Sequence, residues 1–390
     1  MTSSVPKQGL RKPNLIFTLN KRVTATFVLV ALSLANVAHA AELVVGQVGP
    51  FVGLQAPQAK AYAAGMNLVF DAANRIRGAT NTFRLVRRDD GGRAEDTVSV
   101  TRKLIEDEKP IILAGFFGSK NLALLSGSGL LEREKIALVG YRTAELQIDD
   151  PQFFSVRAGI SEEIARITQH LSTIGIRDLG IFYEEGAGAT RLVAVADELA
   201  KKTGVAFAVR ASYSPGTARV TSAVELFLKR PPQAILLVTS SAAAAGFIEQ
   251  YRTAGGAAKI FSHSGVDIEQ LNRQLTEEQL QGVAIAQVTP SPYKNSSSLS
   301  KEFADAVAAS ADKGLPVSYA MMEGYIAGKV IVEAVRRQGS KVSRQTMMAT
   351  LDALAAFDLG GYAIGFKPGS HTGSKFVELS IVTSSGRIRQ

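Results

Sequence analysis

The 390-residue chain contains no cysteine. No disulfide can form, so the fold must rest on its core, and thiolate zinc sites are excluded. A lipidated cysteine at an export cleavage site is excluded too. Histidine is scarce: beyond residue 40 there are only His170, His263 and His371, and no HExxH motif occurs. No acidic residue precedes Glu42. No apolar run reaches the length of roughly 18 residues that reads as a membrane-spanning helix. Beyond residue 40 no Lys/Arg cluster interleaved with aromatics appears, which removes the nucleic-acid reading that a basic chain invites.

What is present is a globular composition, 46% hydrophobic and 20% charged. The length is too great for one ordinary core and suits two domains of about 150 to 200 residues each. The first forty residues differ from the rest. Lys7, Arg11, Lys12, Lys21 and Arg22 precede the apolar stretch VTATFVLVALSLA (23–35), and the small residues Ala38 and Ala40 follow. This pattern predicts a secretory signal peptide over 1–40, cleaved after Ala40; the alternative is an uncleaved membrane anchor. These five basic residues account for five of the formal charges in a net of +9, which leaves a mild +4 for the remainder.

From Leu43 onward short apolar runs alternate with amphipathic helical stretches. LVVGQV, TFRLVRR, PIILAGF and IALVGY read as strands, with helices predicted over 58–76, 97–106 and 122–131. The pattern restarts after Phe153. LGIFY, AFAVRASY, AILLVTS, KIFSHS and GVAIAQV alternate with helices over 161–174, 187–202, 217–229 and 242–253, with Ser161 as an expected N-cap. Helices dominate from Ser300. The closing runs GYAIGF and FVELSIV are expected to join sheets already built. Strand–helix alternation at this rhythm implies parallel sheets covered on both faces, in two units of similar build.

The stretch RLVRRDDGGRAED (84–96) could be a metal or acid–base site or a strand-to-helix turn. Asp89 and Asp90 close the second strand, Gly91–Gly92 supply the turn, and a carboxylate at a helix start is stabilised without any catalysis. With no histidine or third acid nearby, the turn is the reading adopted. His263 and Asp267 are four apart on a strand-to-loop segment, poor geometry for a metal pair. SGSG (126–129) lacks the glycine of a nucleophile elbow. GYIAGKV (324–330) fails the phosphate-loop spacing and lies within a helix. EGAGATR (185–191) could turn N–H groups toward an anion, or simply be a turn. No nucleophile with an oriented base can be assembled, so no enzyme is expected. Instead, polar residues gather where strands end, in FGSKN, GYRTAE, YEEGAG and SHSGVD, the position at which open α/β sheets bind ligands.

These features, in this order, resemble the substrate-binding proteins of branched-chain-amino-acid-type ABC transporters, the leucine/isoleucine/valine-binding family. VVGQVGPFVG matches the first strand and loop, RRDDGG with TRKLIEDEKP the second strand and helix. SYAMMEGYIAGKVIVEAVRRQG and FDLGGYAIGFKPGSHTGSKFVELSIV match the C-terminal signature. The resemblance implies an α/β chain of two Rossmann-like lobes with parallel sheets joined by three crossings, the type I periplasmic-binding fold. Lobe 1 would be 41–157 with 288–374, and lobe 2 would be 158–287 with 375–390. It implies a periplasmic receptor that closes on a small amino acid or related organic acid or amide and delivers it to a membrane permease. A ligand sensor serving a signalling receptor is the alternative. A monomer with no cofactor, no metal and no nucleic-acid partner is expected. By position Ser119, Asn121, Tyr141 and Thr143 would hold a carboxylate, and Tyr183 and Asp267 an amine. Gln58 falls where some members place a cleft aromatic. The loops depart from the family pattern, and they bring in Lys120 and Arg142. If both face the cleft they would favour an acidic ligand; otherwise they are solvated surface residues.

Overall fold

The computed structural model describes residues 1–4, 9, 40–53, 55–144, 146, 148–186, 188–339, 341–383 and 388–389. The apolar run and cleavage residues of the expected signal peptide lie outside the described residues, apart from Ala40. Ala41–Gln390 group as one compact unit, separate from Met1–Ala40, and the fold below is that of the larger unit.

The first sheet is built from β1 (Ala41–Gly49), α1 (Ala56–Asn74), β2 (Asn81–Asp89), α2 (Ala94–Glu108), β3 (Ile112–Phe117), α3 (Ser119–Gly127), α4 (Leu130–Arg133), β4 (Leu138–Arg142) and β5 (Phe153–Phe154). Its order is β2-β1-β3-β4-β5, all parallel. β1 is apolar almost throughout because both faces are covered, so it reads as a continuous run and not an alternation. Pro57 opens α1, where its missing N–H costs nothing.

The chain then passes to a second sheet through α5 (Ile160–Thr173), β6 (Asp178–Glu184), α6 (Ala189–Thr203), β7 (Ala206–Tyr213), α7 (Thr221–Lys229), β8 (Ala234–Val238), α8 (Ser241–Thr253), β9 (Lys259–Ser262), α9 (Ile268–Gln274), α10 (Glu277–Leu280) and β10 (Ala284–Gln287). It returns with α11 (Ser298–Ala309), α12 (Tyr319–Gln338), α13 (Arg344–Asp352), β11 (Phe357–Asp358) and β12 (Ala363–Ile364). It ends with β13 (Glu378–Val382) and β14 (Ile388–Arg389) back in the second sheet. That sheet runs β14-β13-β10-β9-β8-β6-β7, with β13 and β14 antiparallel to their neighbours. Helices cover both faces of each sheet, and four apolar clusters fill the four interfaces. The architecture is the expected one: two Rossmann-like lobes, three crossings.

Two local expectations are corrected. Gly159, not Ser161, caps α5, and no side chain accepts a hydrogen bond there. GYAIGF joins neither large sheet; its two strand residues pair with β11 in a small hairpin. FVELSIV does join the second sheet, as β13.

α1 and α12 are in close contact through glycine. A Cβ on Gly65 would lie 2.0 Å from the Met321 carbonyl oxygen, and one on Gly324 would lie 2.0 Å from that of Tyr62. Only glycine lets the two backbones come this near. The contact brings α12, from the returning segment, onto the first lobe, where Glu323 is buried. The three crossings are tied together. The Tyr362 hydroxyl lies 2.7 Å from the Val156 carbonyl and 2.9 Å from that of Val288, one on each of the first two crossings, and its single proton is shared between them. Gly373, on the third, donates its N–H to Ser155 O on the first at 2.8 Å.

Candidate functional site

Parallel strands place their carboxyl ends, and the helix N-termini that follow them, on one side of a sheet. Here the loops after β1, β2, β3 and β4 form one wall of a cleft. The loops after β6, β7, β8 and β9 form the other, around about 830 Å³.

The Asp89–Asp90 question is settled by contacts. Asp89 accepts N–H bonds from Phe51 (2.7 Å) and Gly91 (3.0 Å). Asp90 is buried and accepts from Gly92 N–H (2.9 Å), Thr97 Oγ1 (2.8 Å) and Asn121 Nδ2 (3.3 Å). Gly91 and Gly92 both have positive φ, as the turn demands. The pair is a brace between β2, α2 and α3.

Five of the eight expected site residues line the cleft: Gln58, Ser119, Asn121, Arg142 and Thr143. Ser119 Oγ accepts from the Ala144 N–H at 2.9 Å and from Thr143 Oγ1 at 3.1 Å, so its own proton is left to donate. Asn121 is largely occupied by the brace, through Asp90 and Thr97 Oγ1 (2.8 Å). Three expected residues do not line this cleft, each for a local reason. Tyr141 turns into the first lobe's core against Phe153 and borders a smaller cavity of about 50 Å³. Tyr183 packs beside the second lobe's apolar cluster, and strand alternation gives the cleft position to Glu184 instead. Asp267 caps α9, accepting from the Gln270 N–H at 3.0 Å.

Lys120 and Arg142 both reach the cleft, and both are already neutralised. Lys120 pairs with Glu95 at 2.6 Å on the open rim. Arg142 is 6% exposed and contacts Glu323 at 3.1 Å. It also donates to Gln58 Oε1 and to the Ser264 carbonyl, each at 2.8 Å. The second of these bonds crosses between lobes. Beside it, Arg157 contacts Glu163 at 3.0 Å and Glu323 at 3.5 Å and donates to Ser264 Oγ. Glu163 in turn accepts from the Ser264 N–H at 2.6 Å and from Ser264 Oγ at 2.9 Å. Two guanidiniums and two carboxylates are thus buried together with balanced formal charge. Burial works against the charge on Arg157, and Glu323 and Glu163 together more than offset it, raising its pKa.

His263 lines the cleft but has no free nitrogen. Nδ1 accepts the Gly265 N–H at 3.1 Å, which leaves the proton on Nε2, 3.1 Å from Thr239 O. Burial also lowers its pKa, so the ring stays neutral. Among the described residues no group of three His, Asp or Glu is arranged to hold a metal.

The sequence reading named none of Glu163, Ser264, Glu323, Glu184 and Glu185 as a site residue, although YEEGAG contains Glu184 and Glu185 and SHSGVD contains Ser264. For Glu323 a signal existed: a lone acid in the apolar helical stretch YAMMEGYIAGKV has to be paired if it is buried. Ser264 lay in a stretch already placed at a strand end, but nothing in the sequence set it apart from its neighbours.

Two α/β lobes facing each other across a cleft at their strand ends, joined by three crossings, define a type I periplasmic-binding fold. A profile of the periplasmic binding protein family matches residues 42–386. The chain belongs to that family. A substrate-binding periplasmic protein from Ralstonia solanacearum is 33% identical, covers 89% of this chain and 99% of its own, and superposes with a TM-score of 0.82. An extracellular ligand-binding receptor from Verminephrobacter eiseniae, 24% identical, covers 90% and 100% with a TM-score of 0.83. A possible leucine/isoleucine/valine-binding protein from Rhodopirellula baltica, 22% identical, covers 91% and 98% with a TM-score of 0.81. The last two likenesses are of fold. No match was found among curated proteins.

Proposed function

We propose that this chain is an extracytoplasmic receptor. It closes its lobes on a small amino acid or a related organic acid or amide and presents the solute to an ABC transporter permease. The observation that carries the reading is the cleft itself: about 830 Å³ of space between strand ends, walled by polar groups from both lobes. Sites of this size and placement hold small ligands. Ser119, with an unspent proton and the start of α3 beside it, suits a carboxylate. Closure is a hinge motion about the three crossings, in which ligand contacts to both walls favour the closed form.

Binding without chemistry is the reading adopted. The cleft histidine is committed to backbone groups on both nitrogens, so among the described lining residues no hydroxyl has an imidazole free to take its proton. The basic, apolar leader is read as a signal peptide cleaved after Ala40. With no cysteine to lipidate, the released chain would be free in the periplasm, acting as a monomer. Among the described residues no helix is long and apolar enough to cross a membrane.

Titration calorimetry of the purified protein against amino acids, amides and small organic acids tests the proposal. One-to-one binding with the solute recovered unchanged is the expected result. Turnover of a bound compound, or no heat with any member, would refute it.

A further inference from the structure

Charges in the cleft are unevenly paired. Each lysine and arginine among the described lining residues already has a carboxylate: Arg142 has Glu323, Lys120 has Glu95, and Arg93 has Asp96. On the opposite wall Glu184 and Glu185 have no cationic partner among the described residues. Neutral hydroxyls hold them. Tyr213 donates to Glu184 Oε2 at 2.6 Å, and Ser212 donates to Glu185 Oε1 at 2.8 Å. Tyr213 is fixed in turn by the Ser240 N–H, which it accepts at 2.9 Å. A hydroxyl aims a carboxylate without cancelling its charge. Open water screens these charges; a closed cleft would not.

The first wall offers the complementary half. Ser119 can donate its proton, and the first N–H groups of α3 have no partner within the helix, so this end suits one carboxylate while contributing no formal charge. A neutral aliphatic amino acid would compensate one of the two glutamates on closure. An organic acid would compensate neither.

Resting on the receptor reading above, we propose that the cleft selects a solute with two cationic nitrogens, with Glu184 and Glu185 as the residues that set this preference. A dibasic amino acid and a small diamine share that chemistry. The first would also use the Ser119 end.

Calorimetry with lysine, putrescine, leucine and glutamate on the purified protein separates the cases. At least one of lysine and putrescine is expected to bind, and to weaken with added salt. Lysine alone would add the carboxylate contact, whereas equal binding of both would place recognition on the glutamates. Glu184→Gln and Glu185→Gln, each checked for an unchanged ligand-free melting temperature, are expected to lose about tenfold or more in affinity for the cation. If one variant fails to fold, the other carries the test, with Ser212→Ala as a milder change that frees Glu185. Binding of leucine or glutamate with no response to either cation would overturn the charge preference and leave the receptor reading standing. Wild-type affinity in both glutamine variants would overturn it too. No binding by any of the four, nor by the wider set of solutes, would remove both.

Discussion

At the scale of single residues, buried arginine and glutamate side chains are paired with opposite charge, whereas Asp90 and Asp267 are held by neutral hydrogen-bond donors. Arg142, Arg157, Glu163 and Glu323 have side chains between 1% and 6% exposed. Glu323 touches both guanidiniums, so Glu323→Gln leaves a buried excess of positive charge. The expected cost is about 3–5 kcal/mol in unfolding free energy, read from urea denaturation. Glu95→Gln, at the exposed Lys120 pair, is expected to leave the midpoint where it is. The residue scale is also where the sequence was least legible. Gln58 and Arg142 are 84 positions apart, yet hydrogen-bonded; spacing along the chain carries no trace of such a pair. YEEGAG did point to the correct loop. The choice of Tyr183 over Glu184 depends on which face of β6 meets the cleft, and that is decided by packing of the whole sheet.

At the scale of elements, legibility was high for the long parallel strands and their helices, because burial on both faces leaves continuous apolar runs in the sequence. It failed for β5 and β11, and for β12, read as a strand within GYAIGF, it missed the partner. Two-residue strands have no periodicity to read, and their pairing depends on neighbours. The contact between α1 and α12 was invisible too, although its glycines were in plain sight. Gly324→Ala would press a methyl group onto the Tyr62 carbonyl. A loss of about 1–3 kcal/mol is expected, as for other overpacked interiors, with the denaturation midpoint as the measure. The start of α9 makes a pH prediction. Glu269 keeps some surface, yet protein crowds it enough that desolvation first, and then the Asp267 carboxyl, push it up to about 8. Tyr293 donates its hydroxyl to Glu269 at 2.5 Å and Tyr319 its N–H at 3.0 Å, which restrains the shift without reversing it. In the unfolded chain the same carboxyl titrates near 4.3. The folded form therefore holds the extra proton between those values, and stability from this group falls as pH rises from about 4.3 to 8. Melting temperatures from pH 5 to 8 should decline, and Glu269→Gln should flatten the decline.

At the scale of the molecule, two lobes share a hinge whose strands are bonded to each other and a cleft whose walls are bonded through Arg142, Arg157 and Ser264. The hinge can be loosened without touching the cleft. Tyr362→Phe deletes the hydroxyl that joins the first two crossings. Faster hydrogen exchange is expected at the amides around Val156 and Val288, with those of the loop after β3 unchanged. The two-lobed plan was readable from the sequence because the strand–helix pattern stops and restarts. The order in which the returning segment revisits each lobe came only through resemblance to a family.

The most direct test of a cleft that captures a solute and lets it go unaltered is native mass spectrometry of the purified protein, incubated with candidate solutes and then denatured. One small molecule per chain is expected, bearing cationic nitrogen and released on denaturation at its original mass. A chain that stays bare throughout, or a released compound whose mass has changed, would contradict the receptor reading.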